Sequence, residues 1–495
     1  MQARERALSA PVVVDLMDRA RVRRLCLAVV ALASALAYAN ALSNGFVLDD
    51  GGILLSNPLV LSPATAWRAF GLPYWPESLG WGQYRPLGIV SFALDWWISG
   101  GDARWLHAVN VVWHVAATVA VWLLAAELLA PVAALVAALV FAVHPVHVEA
   151  VANTVGRLEP MATLFVIAAL LAHRRASRTA PFWFALGLLS KEGAIVFLAL
   201  VAANDMLLER DWRATLRARR FQYVGYGVVV VAYAAVLFAV FNDRPLSNPA
   251  RAIAGATTSE RLAMAVQVVP YYVRLLLAPA ELSASYAPSV IRWQPWGSMS
   301  VLFGLGLALV AAVTIGVLLA QRRRRAVLAF AVLWIPIALA PVSNVFFVSG
   351  VVLAERTLYL ASVGACLAAG AVAESFLLAR ARWVVAATCS VVLAFAVRTW
   401  TRTPVWRDDR AYVFALLTDH PESYEGHLVA GRVLKTANSL DEAERELTRA
   451  RQLFKGDPMV YYEAADLAVR QGRRALAAAL LDSAKHAASI PVTRR

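Results

Sequence analysis

Two adjacent carboxylates, Asp49 and Asp50, follow the first apolar segment of this 495-residue chain, which runs from Leu25 to Leu42. An acid beside hydrocarbon is costly to desolvate, so an acid pair where a membrane helix would end is a candidate for catalysis. A carboxylate in such a position can accept the proton of an attacking hydroxyl group. The alternative is that the pair, followed by two glycines, only ends a helix at an interface.

Other motifs beside apolar segments carry cations, acids or histidines. Arginine and lysine can hold a phosphate leaving group while a carboxylate takes the proton of the attacking hydroxyl. The set therefore suits the transfer of a polar group from a lipid-linked phosphate. The motifs are Tyr84-Arg85-Pro86-Leu87, His144-Pro145-Val146-His147-Val148-Glu149, Gly156-Arg157-Leu158-Glu159, Ser190-Lys191-Glu192 and Leu353-Ala354-Glu355-Arg356.

Each motif also has an ordinary structural explanation. Arg85 or Arg157 could reach lipid headgroups, and Lys191 and Glu192 could neutralise each other between two short helices. Two further side chains, His144 and His147, could bind a metal with Glu149. The intervening proline spoils the helical spacing that zinc hydrolases use, which favours hydrogen-bonded histidines and no metal site. A requirement for a divalent metal stays open.

The elements that must position these residues are membrane helices. The chain is 60% hydrophobic and 16% charged, with a mean hydropathy of +0.60, which predicts an all-α polytopic membrane protein. Its net charge of +14 does not indicate nucleic acid, because the arginines cluster between apolar runs as the positive-inside bias requires. The three cysteines lie in apolar runs and predict neither a disulfide framework nor a zinc site.

The basic clusters predict about eleven spans, with residues 1–24 in the cytoplasm. The run 264–279 is interpreted as re-entrant or interfacial, since counting it as a span would place Arg322 to Arg325 outside. Runs 181–190 and 193–207 are the weakest spans, because both fall short of the ~20 residues that a crossing helix needs. A signal peptide that removes residues 1–41 is a competing interpretation of the first segment.

The membrane domain then covers residues 25–398 and carries two large outer loops, at 43–105 and at about 242–298. The first loop is too polar for lipid but rich in tryptophan and tyrosine, which prefer the membrane interface. Apolar residues at helical spacing predict an interfacial helix at Leu87 to Ile98.

The charged tail, residues 406–490, contains a repeat and is predicted to lie outside the membrane. Its period of 34 residues and its small residues are typical of tetratricopeptide helix pairs. A half-repeat at Trp406 to Pro421 would continue the stack, and an unrelated helical hairpin is the alternative. The matched positions are Gly431, Ala443, Leu447 and Ala450 in the first unit and Ala465, Ala477, Leu481 and Ala484 in the second.

The order of the motifs resembles the transmembrane and tetratricopeptide-repeat O-mannosyltransferase family and its bacterial relatives. The resemblance covers the chain from about residue 25 onward and rests on FVLDD, YRPL, HAVNVVWH, FAVHPVHVEAVANTVGRLE, LSKEGA and PVSNVFFVSGVVLAERTLYLASVG. It implies a GT-C glycosyltransferase that uses a polyprenyl-phosphate sugar on the outer face of the membrane. By the same resemblance, Asp49 would be the base, and we expect Asp50 to orient it or the acceptor.

The resemblance also implies roles for the remaining motifs. Arg85, in the motif that begins at Tyr84, would approach the lipid phosphate, helped by Arg157, Lys191 and Arg356. Glu159, Glu192, Glu355, His144, His147 and Glu149 would belong to the outer-face motifs without an assigned role. The acceptor would be a protein hydroxyl or a glycan, and the repeats could bind a protein partner.

The chain also departs from the family pattern. It has about two repeats where family members often carry many, so acceptor recognition through a long groove is in doubt. Its arginine- and alanine-rich composition predicts a bacterial inner-membrane protein, whose carrier would be undecaprenyl or another polyprenyl phosphate and whose sugar need not be mannose. The alternatives from other classes are a non-catalytic membrane scaffold and a transporter of the lipid-linked sugar, for which charges near the bilayer midplane would be expected.

Overall fold

The computed structural model describes residues 10–76, 82–242, 250, 252–346 and 348–487, which form helices joined by loops. Parts of the predicted N-terminal segment, of the second outer loop and of the end of the tail lie outside these residues. Within the described ranges there is no strand, only an isolated bridge between Trp75 and Gly82. The predicted all-α class is confirmed.

Sixteen α-helices precede the tail in the described ranges. They are α1 (Ala10–Ala37), α2 (Pro58–Leu61), α3 (Pro86–Ser99), α4 (Ala103–Leu128), α5 (Pro131–Ala142), α6 (Val148–Ala152), α7 (Leu158–Arg174), α8 (Ala180–Ser190), α9 (Phe197–Leu208), α10 (Trp212–Ala218), α11 (Arg220–Phe241), α12 (Thr258–Gln267), α13 (Val269–Leu277), α14 (Met299–Ala320), α15 (Arg322–Leu339) and α16 (Tyr359–Arg402).

Eight helical segments of the described chain are long and apolar enough to cross a membrane, or nine if the bent pair Pro131–Ala142 and Pro145–Ala152 is one span. Helix α16 supplies two of them, because its backbone is non-helical at Arg380. The other two predicted spans are α8 and α9, with 11 and 12 residues. The polytopic class is therefore confirmed, and the number eleven stays a prediction.

Helices α8 and α9 are short, but together they contact both ends of α7. Lys191, just after α8, contacts Glu159 in the first turn of α7. Asp205, near the end of α9, accepts a hydrogen bond from His173, near the end of α7, at 3.1 Å. Two short helices therefore connect the two ends of one long helix, which places the Lys191 turn at the end where α7 begins.

Small residues allow the membrane helices to pack closely. A Cβ atom at Gly364 would lie 2.6 Å from the carbonyl oxygen of Ala331 and 2.9 Å from the Cβ of Trp334, so α16 can approach α15 only with glycine there. The indole nitrogen of Trp334 donates to the carbonyl oxygen of Leu360 at 2.8 Å. This contact links the same two helices across a buried surface.

Two segments of the outer loops agree with the sequence analysis. Helix α3 forms where an interfacial helix was predicted. The run 264–279 forms α12 and α13, of 10 and 9 residues, which are too short to cross a membrane. Their location at the interface stays a prediction.

The tail contains α17 (Asp409–Asp419), α18 (Tyr424–Thr436), α19 (Leu440–Leu453), α20 (Pro458–Arg470) and α21 (Arg474–Ala487). The two helix pairs begin at Tyr424 and Pro458, 34 residues apart, as the repeat predicted. One matched position differs: Leu447 is buried, whereas Leu481 is 45% exposed and Leu480 is buried instead.

Candidate active site

Asp50 is the buried anchor of the loop that carries the acid pair. One carboxylate oxygen of Asp50 accepts a hydrogen bond from the amide of Val47, and the other accepts one from the amide of Val155, each at 3.0 Å. Burial raises the pKa of Asp50 to about 7, although both amide hydrogen bonds oppose that change. The side chain therefore joins its own loop to the short turn that leads into α7.

The neighbouring Asp49 is partly exposed and lines two cavities. The residue before it, Leu48, has a φ of +48°, a left-handed conformation that costs a leucine about 1–2 kcal/mol. The amide of Leu48 donates to Asp409 Oδ1 at 3.0 Å. The two acids thus differ in environment: Asp50 holds the loop and Asp49 faces open space.

The smaller cavity, of about 160 Å³, collects most of the predicted charged residues. Three of the four cations predicted to bind phosphate line it, together with two acids of the same motifs and Asp49. The charged lining residues are Asp49, Arg85, Glu159, Lys191, Glu192 and Arg356. Asp49 of the acid pair and residues from four other motifs therefore meet in one chamber.

Arg85 and Glu192 form a two-pronged ion pair across this chamber. Arg85 Nε donates to Glu192 Oε2 at 2.9 Å and Arg85 Nη2 donates to Oε1 at 2.6 Å. Partial desolvation at the cavity opposes ionisation of Glu192, whose side chain stays 45% exposed, but the Arg85 guanidinium outweighs it and lowers the pKa of this carboxyl to about 2. The guanidinium also lies over the ring of Tyr74, 5.4 Å from its centroid. Arg85 is thus held at the cavity by an ion pair and an aromatic ring.

Lys191 does not pair with the adjacent Glu192, which was one of the sequence-based alternatives. The backbone at Lys191 is extended, so the two consecutive side chains point in different directions. Lys191 donates instead to Glu159, while Glu192 pairs with Arg85. Burial lowers the pKa of Lys191, and the charge of Glu159 partly offsets that effect.

Arg356 lines both cavities and is held by Glu149. Arg356 Nη1 donates to Glu149 Oε1 at 2.6 Å, and the Arg356 amide donates to Oε2 at 2.8 Å. The described residues make no hydrogen bond to Nε or Nη2 of Arg356. Arg356 can therefore donate hydrogen bonds from these nitrogens to an anion while it keeps its hydrogen bonds to Glu149.

Arg157 corrects the sequence analysis, because it does not line either cavity. Its side chain is completely buried and pairs with Asp95. It also donates to Asn110 Oδ1 at 2.7 Å, to Ser91 Oγ at 2.9 Å and to the Leu106 carbonyl at 2.9 Å. A guanidinium with these partners joins α3 and α4 to the turn before α7 and has no room for a phosphate.

Four further residues of the predicted outer-face set also lie outside the cavity linings. Each forms a hydrogen bond to another segment instead. His144 bonds to the carbonyl of Leu276 at 3.2 Å, and His147 bonds to the hydroxyl of Ser362 at 2.7 Å. Tyr84 donates to the carbonyl of Phe70 at 2.8 Å, and Glu355 accepts from the amide of Ser283 at 2.7 Å. These contacts fix the segments around the site. Within the described ranges, no group of three or more His, Cys, Asp and Glu side chains is arranged to hold a metal ion.

The larger cavity, of about 570 Å³, is lined by residues of both predicted outer loops and of the tail. Sequence reasoning missed its tail residues, because nothing in their local pattern separates them from ordinary repeat positions. They line the same cavity as Asp49 and Arg356, and the polar or aromatic ones are Trp406, Tyr412, Tyr424, Glu425, Arg432 and Asp457.

Asp49 and Arg356 mark the boundary between the chambers. Both residues line both cavities, as do Trp75, Gly350 and Val351. A candidate base and a candidate phosphate ligand therefore stand between a small, charged chamber and a larger chamber walled by the tail. This arrangement on a multi-span helical scaffold defines the class as a polytopic membrane protein with one two-chambered polar site.

Sequence comparisons identify related proteins. A family model described as dolichyl-phosphate-mannose-protein mannosyltransferase matches residues 93–241. The protein O-mannosyl-transferase F38B6.6 of Caenorhabditis elegans is 26% identical over 431 residues, covering 85% of this chain and 61% of the relative. Human protein O-mannosyl-transferase TMTC3 is 23% identical over 502 residues, covering 84% of this chain and 54% of the relative. Mouse protein O-mannosyl-transferase TMTC4 is 26% identical over 470 residues, covering 82% of this chain and 63% of the relative.

The chain is thus related to the transmembrane and tetratricopeptide-repeat O-mannosyltransferase family, as its motifs predicted. It spans about half to three-fifths of the length of these curated relatives. No solved structure matches the chain.

The different environments of the two arginines generate a prediction about folding. We expect Arg157→Met to destabilise the protein by about 3–5 kcal/mol, because it leaves Asp95 buried and unpaired. Arg85→Met breaks a pair whose glutamate is 45% exposed, so we expect a loss of only about 0–1 kcal/mol. Thermal unfolding of the purified variants in detergent measures the two stability losses, and gel filtration measures how much folded protein is recovered. Equal stability of the two variants would refute the structural role of Arg157.

Proposed function

We propose that this protein is an inverting glycosyltransferase that moves one sugar, a hexose such as mannose, from a polyprenyl-phosphate donor to a hydroxyl acceptor, a protein serine or threonine. The observation that carries this proposal is the position of Asp49 at the boundary of the two chambers. The names of the relatives, protein O-mannosyl-transferases, support the sugar and the acceptor class.

The donor phosphate would occupy the smaller chamber. Arg85, Lys191 and Arg356 line it, and each is neutralised by a carboxylate when no anion is bound. Arginine and lysine carry several N–H donors, so each can bind a phosphate oxygen while keeping its carboxylate partner. Negative charge that develops on the departing phosphate would then be stabilised at fixed positions.

The acceptor would enter through the larger chamber and meet Asp49. Its hydroxyl oxygen would bond to the anomeric carbon on the face opposite the phosphate, and the bond from that carbon to the phosphate oxygen would break. Asp49 would take the hydroxyl proton, and the polyprenyl phosphate would leave as an anion. General-base assistance of this kind is worth about 10²–10⁴-fold in rate.

The basic clusters support an extracytoplasmic site. Arg174 and Arg175 lie at the end of α7, and Glu159, which lines the smaller chamber, lies at its start. The positive-inside bias assigns the arginine end to the cytoplasm, so the site would face outward and the N-terminus inward. The donor would then be a lipid of the outer leaflet, and a bacterial inner membrane is the location that the composition favours.

Asp49→Asn is the central test. We expect the variant to lose at least about a hundredfold in transfer while keeping its expression level and donor binding, because the amide cannot take the proton. Transfer of labelled sugar from a panel of polyprenyl-phosphate sugars to serine- and threonine-containing peptides, by purified protein in lipid, measures the loss. Asp441→Asn, on an exposed tail helix, is the matched control.

Near-normal transfer by Asp49→Asn would refute the assignment of the base. Donor binding without transfer by the wild-type protein would point to a wrong acceptor. Neither binding nor transfer from any donor, with the protein shown to be folded, would favour a scaffold.

Removal of a chamber cation generates a second prediction for the donor. We expect Lys191→Met to weaken binding of a polyprenyl-phosphate sugar about ten- to a hundredfold, because a charge-assisted hydrogen bond to the phosphate is lost. Lys455→Met, an exposed tail lysine, is the control and should bind as the wild type does. Titration of a labelled donor into each variant in lipid nanodiscs gives the two dissociation constants. Unchanged affinity in Lys191→Met would place the phosphate elsewhere.

The larger chamber generates a prediction for the acceptor. Glu425 lines that chamber and accepts hydrogen bonds from Ser285 and Tyr412. We expect Glu425→Gln to raise the acceptor KM about three- to thirtyfold and to leave donor affinity unchanged, because one charged contact to the acceptor becomes neutral. Glu442→Gln, on an exposed face of α19, is the control. An increase in donor KM alone would contradict the separation of the two chambers.

A further inference from the structure

The segment between the last membrane helix and the repeats runs along the loop that carries Asp49. The carbonyl oxygen of Thr403 accepts a hydrogen bond from Asn44 Nδ2 at 3.3 Å, and that of Arg407 accepts one from the Gly45 amide at 2.8 Å. A Cβ atom at Gly45 would lie only 3.2 Å from the Arg407 oxygen, so the two backbones are in direct contact. The tail thus contacts this loop before its repeats begin.

Asp409 makes a third contact of this kind, and it makes it with its side chain. Its Oδ1 atom accepts the Leu48 amide at 3.0 Å, one residue before Asp49. Asp409 occupies the first turn of α17, where a carboxylate is favoured by the helix dipole. The acceptor for the Leu48 amide is therefore supplied from a fixed position on a helix.

The Leu48 contact matters because of the backbone at that residue. A φ of +48° is unusual for leucine and persists only where surrounding contacts impose it. Without an acceptor for its amide, Leu48 could return to an ordinary β or α conformation. Such a change would rotate the peptide between Leu48 and Asp49 and turn the Asp49 carboxylate away from the cavities.

We propose that Asp409 is a positioning residue: it binds the Leu48 amide and thereby holds the Asp49 carboxylate at the boundary of the two chambers. The tail is then part of the active site and not only an attached binding module. The assignment of Asp49 as base rests on the proposed function, whereas the holding of the loop does not.

Helix α17 also reaches the larger chamber. Tyr412, one turn after Asp409, lines that chamber and donates to Glu425 Oε1 at 3.4 Å. An acceptor that contacts Tyr412 would therefore touch the helix that holds the loop. Acceptor binding and the orientation of Asp49 depend on the same element.

The test compares Asp409→Ala and Asp409→Asn with the matched control Asp441→Ala, which lies in the first turn of α19 and is exposed. Hydrogen exchange of residues 44–52 in lipid nanodiscs reports whether the loop keeps its conformation. Transfer kinetics report whether Asp49 still acts as the base. We expect Asp409→Ala to exchange faster in this loop and to lose about ten- to a hundredfold in kcat, with donor KM unchanged. Asn retains an oxygen that can accept the amide, so Asp409→Asn should stay near the wild type.

Unchanged exchange in residues 44–52 of Asp409→Ala would overturn the proposal, and so would a loss of kcat as large in Asp409→Asn as in Asp409→Ala. If Asp409→Ala does not fold, Asp409→Ser replaces it, since serine suits a helix start but its shorter side chain withdraws the acceptor. Wild-type protein that transfers no sugar would refute the proposed function alone, because the exchange measurement still decides whether Asp409 holds the loop.

Discussion

The buried carboxylate of Asp50 is the contact on which the rest of the site depends. It accepts the amides of Val47 and Val155, and so it joins the loop after the first membrane helix to the turn before α7. A buried carboxylate with two amide donors is costly to replace, because its loss would leave both N–H groups without a partner. The turn is equally constrained: a Cβ atom at Gly156 would lie 2.6 Å from the Glu149 and Ala150 carbonyl oxygens.

Ion pairs between distant segments solve the electrostatic problem that such a site creates. Three cations near one small cavity would repel each other in a poorly solvated region, but each has an acid on another element: Arg85 with Glu192, Lys191 with Glu159 and Arg356 with Glu149. The charges needed to bind an anion are thus present in neutral pairs before it arrives. A fourth pair, Arg157 with Asp95, is buried away from both cavities and holds neighbouring helices together.

The sequence predicted the parts of this site that have a local signal. The acid pair after the first apolar run, the motif cations and the helical class all follow from composition, spacing and the cost of charge beside hydrocarbon. Which cation reaches the cavity did not follow, because Arg85 and Arg157 occupy similar motifs and differ only in their three-dimensional neighbours. The partners of Lys191 and Glu192 also did not follow, because they depend on the extended backbone at Lys191. The placement of the short helices α8 and α9 depends on their contacts with the two ends of α7.

The contribution of the tail was the least predictable part, and it changes how the chain is divided. A repeat period suggests a separate domain, yet Arg407 and Asp409 bind the loop that carries Asp49, and Glu425 and Tyr412 line the larger cavity. Contacts between residues so far apart in the chain leave no trace in local patterns, since each residue also fits an ordinary helix. The first two helices of the tail already supply lining residues, since Tyr412 lies on α17 and Glu425 on α18.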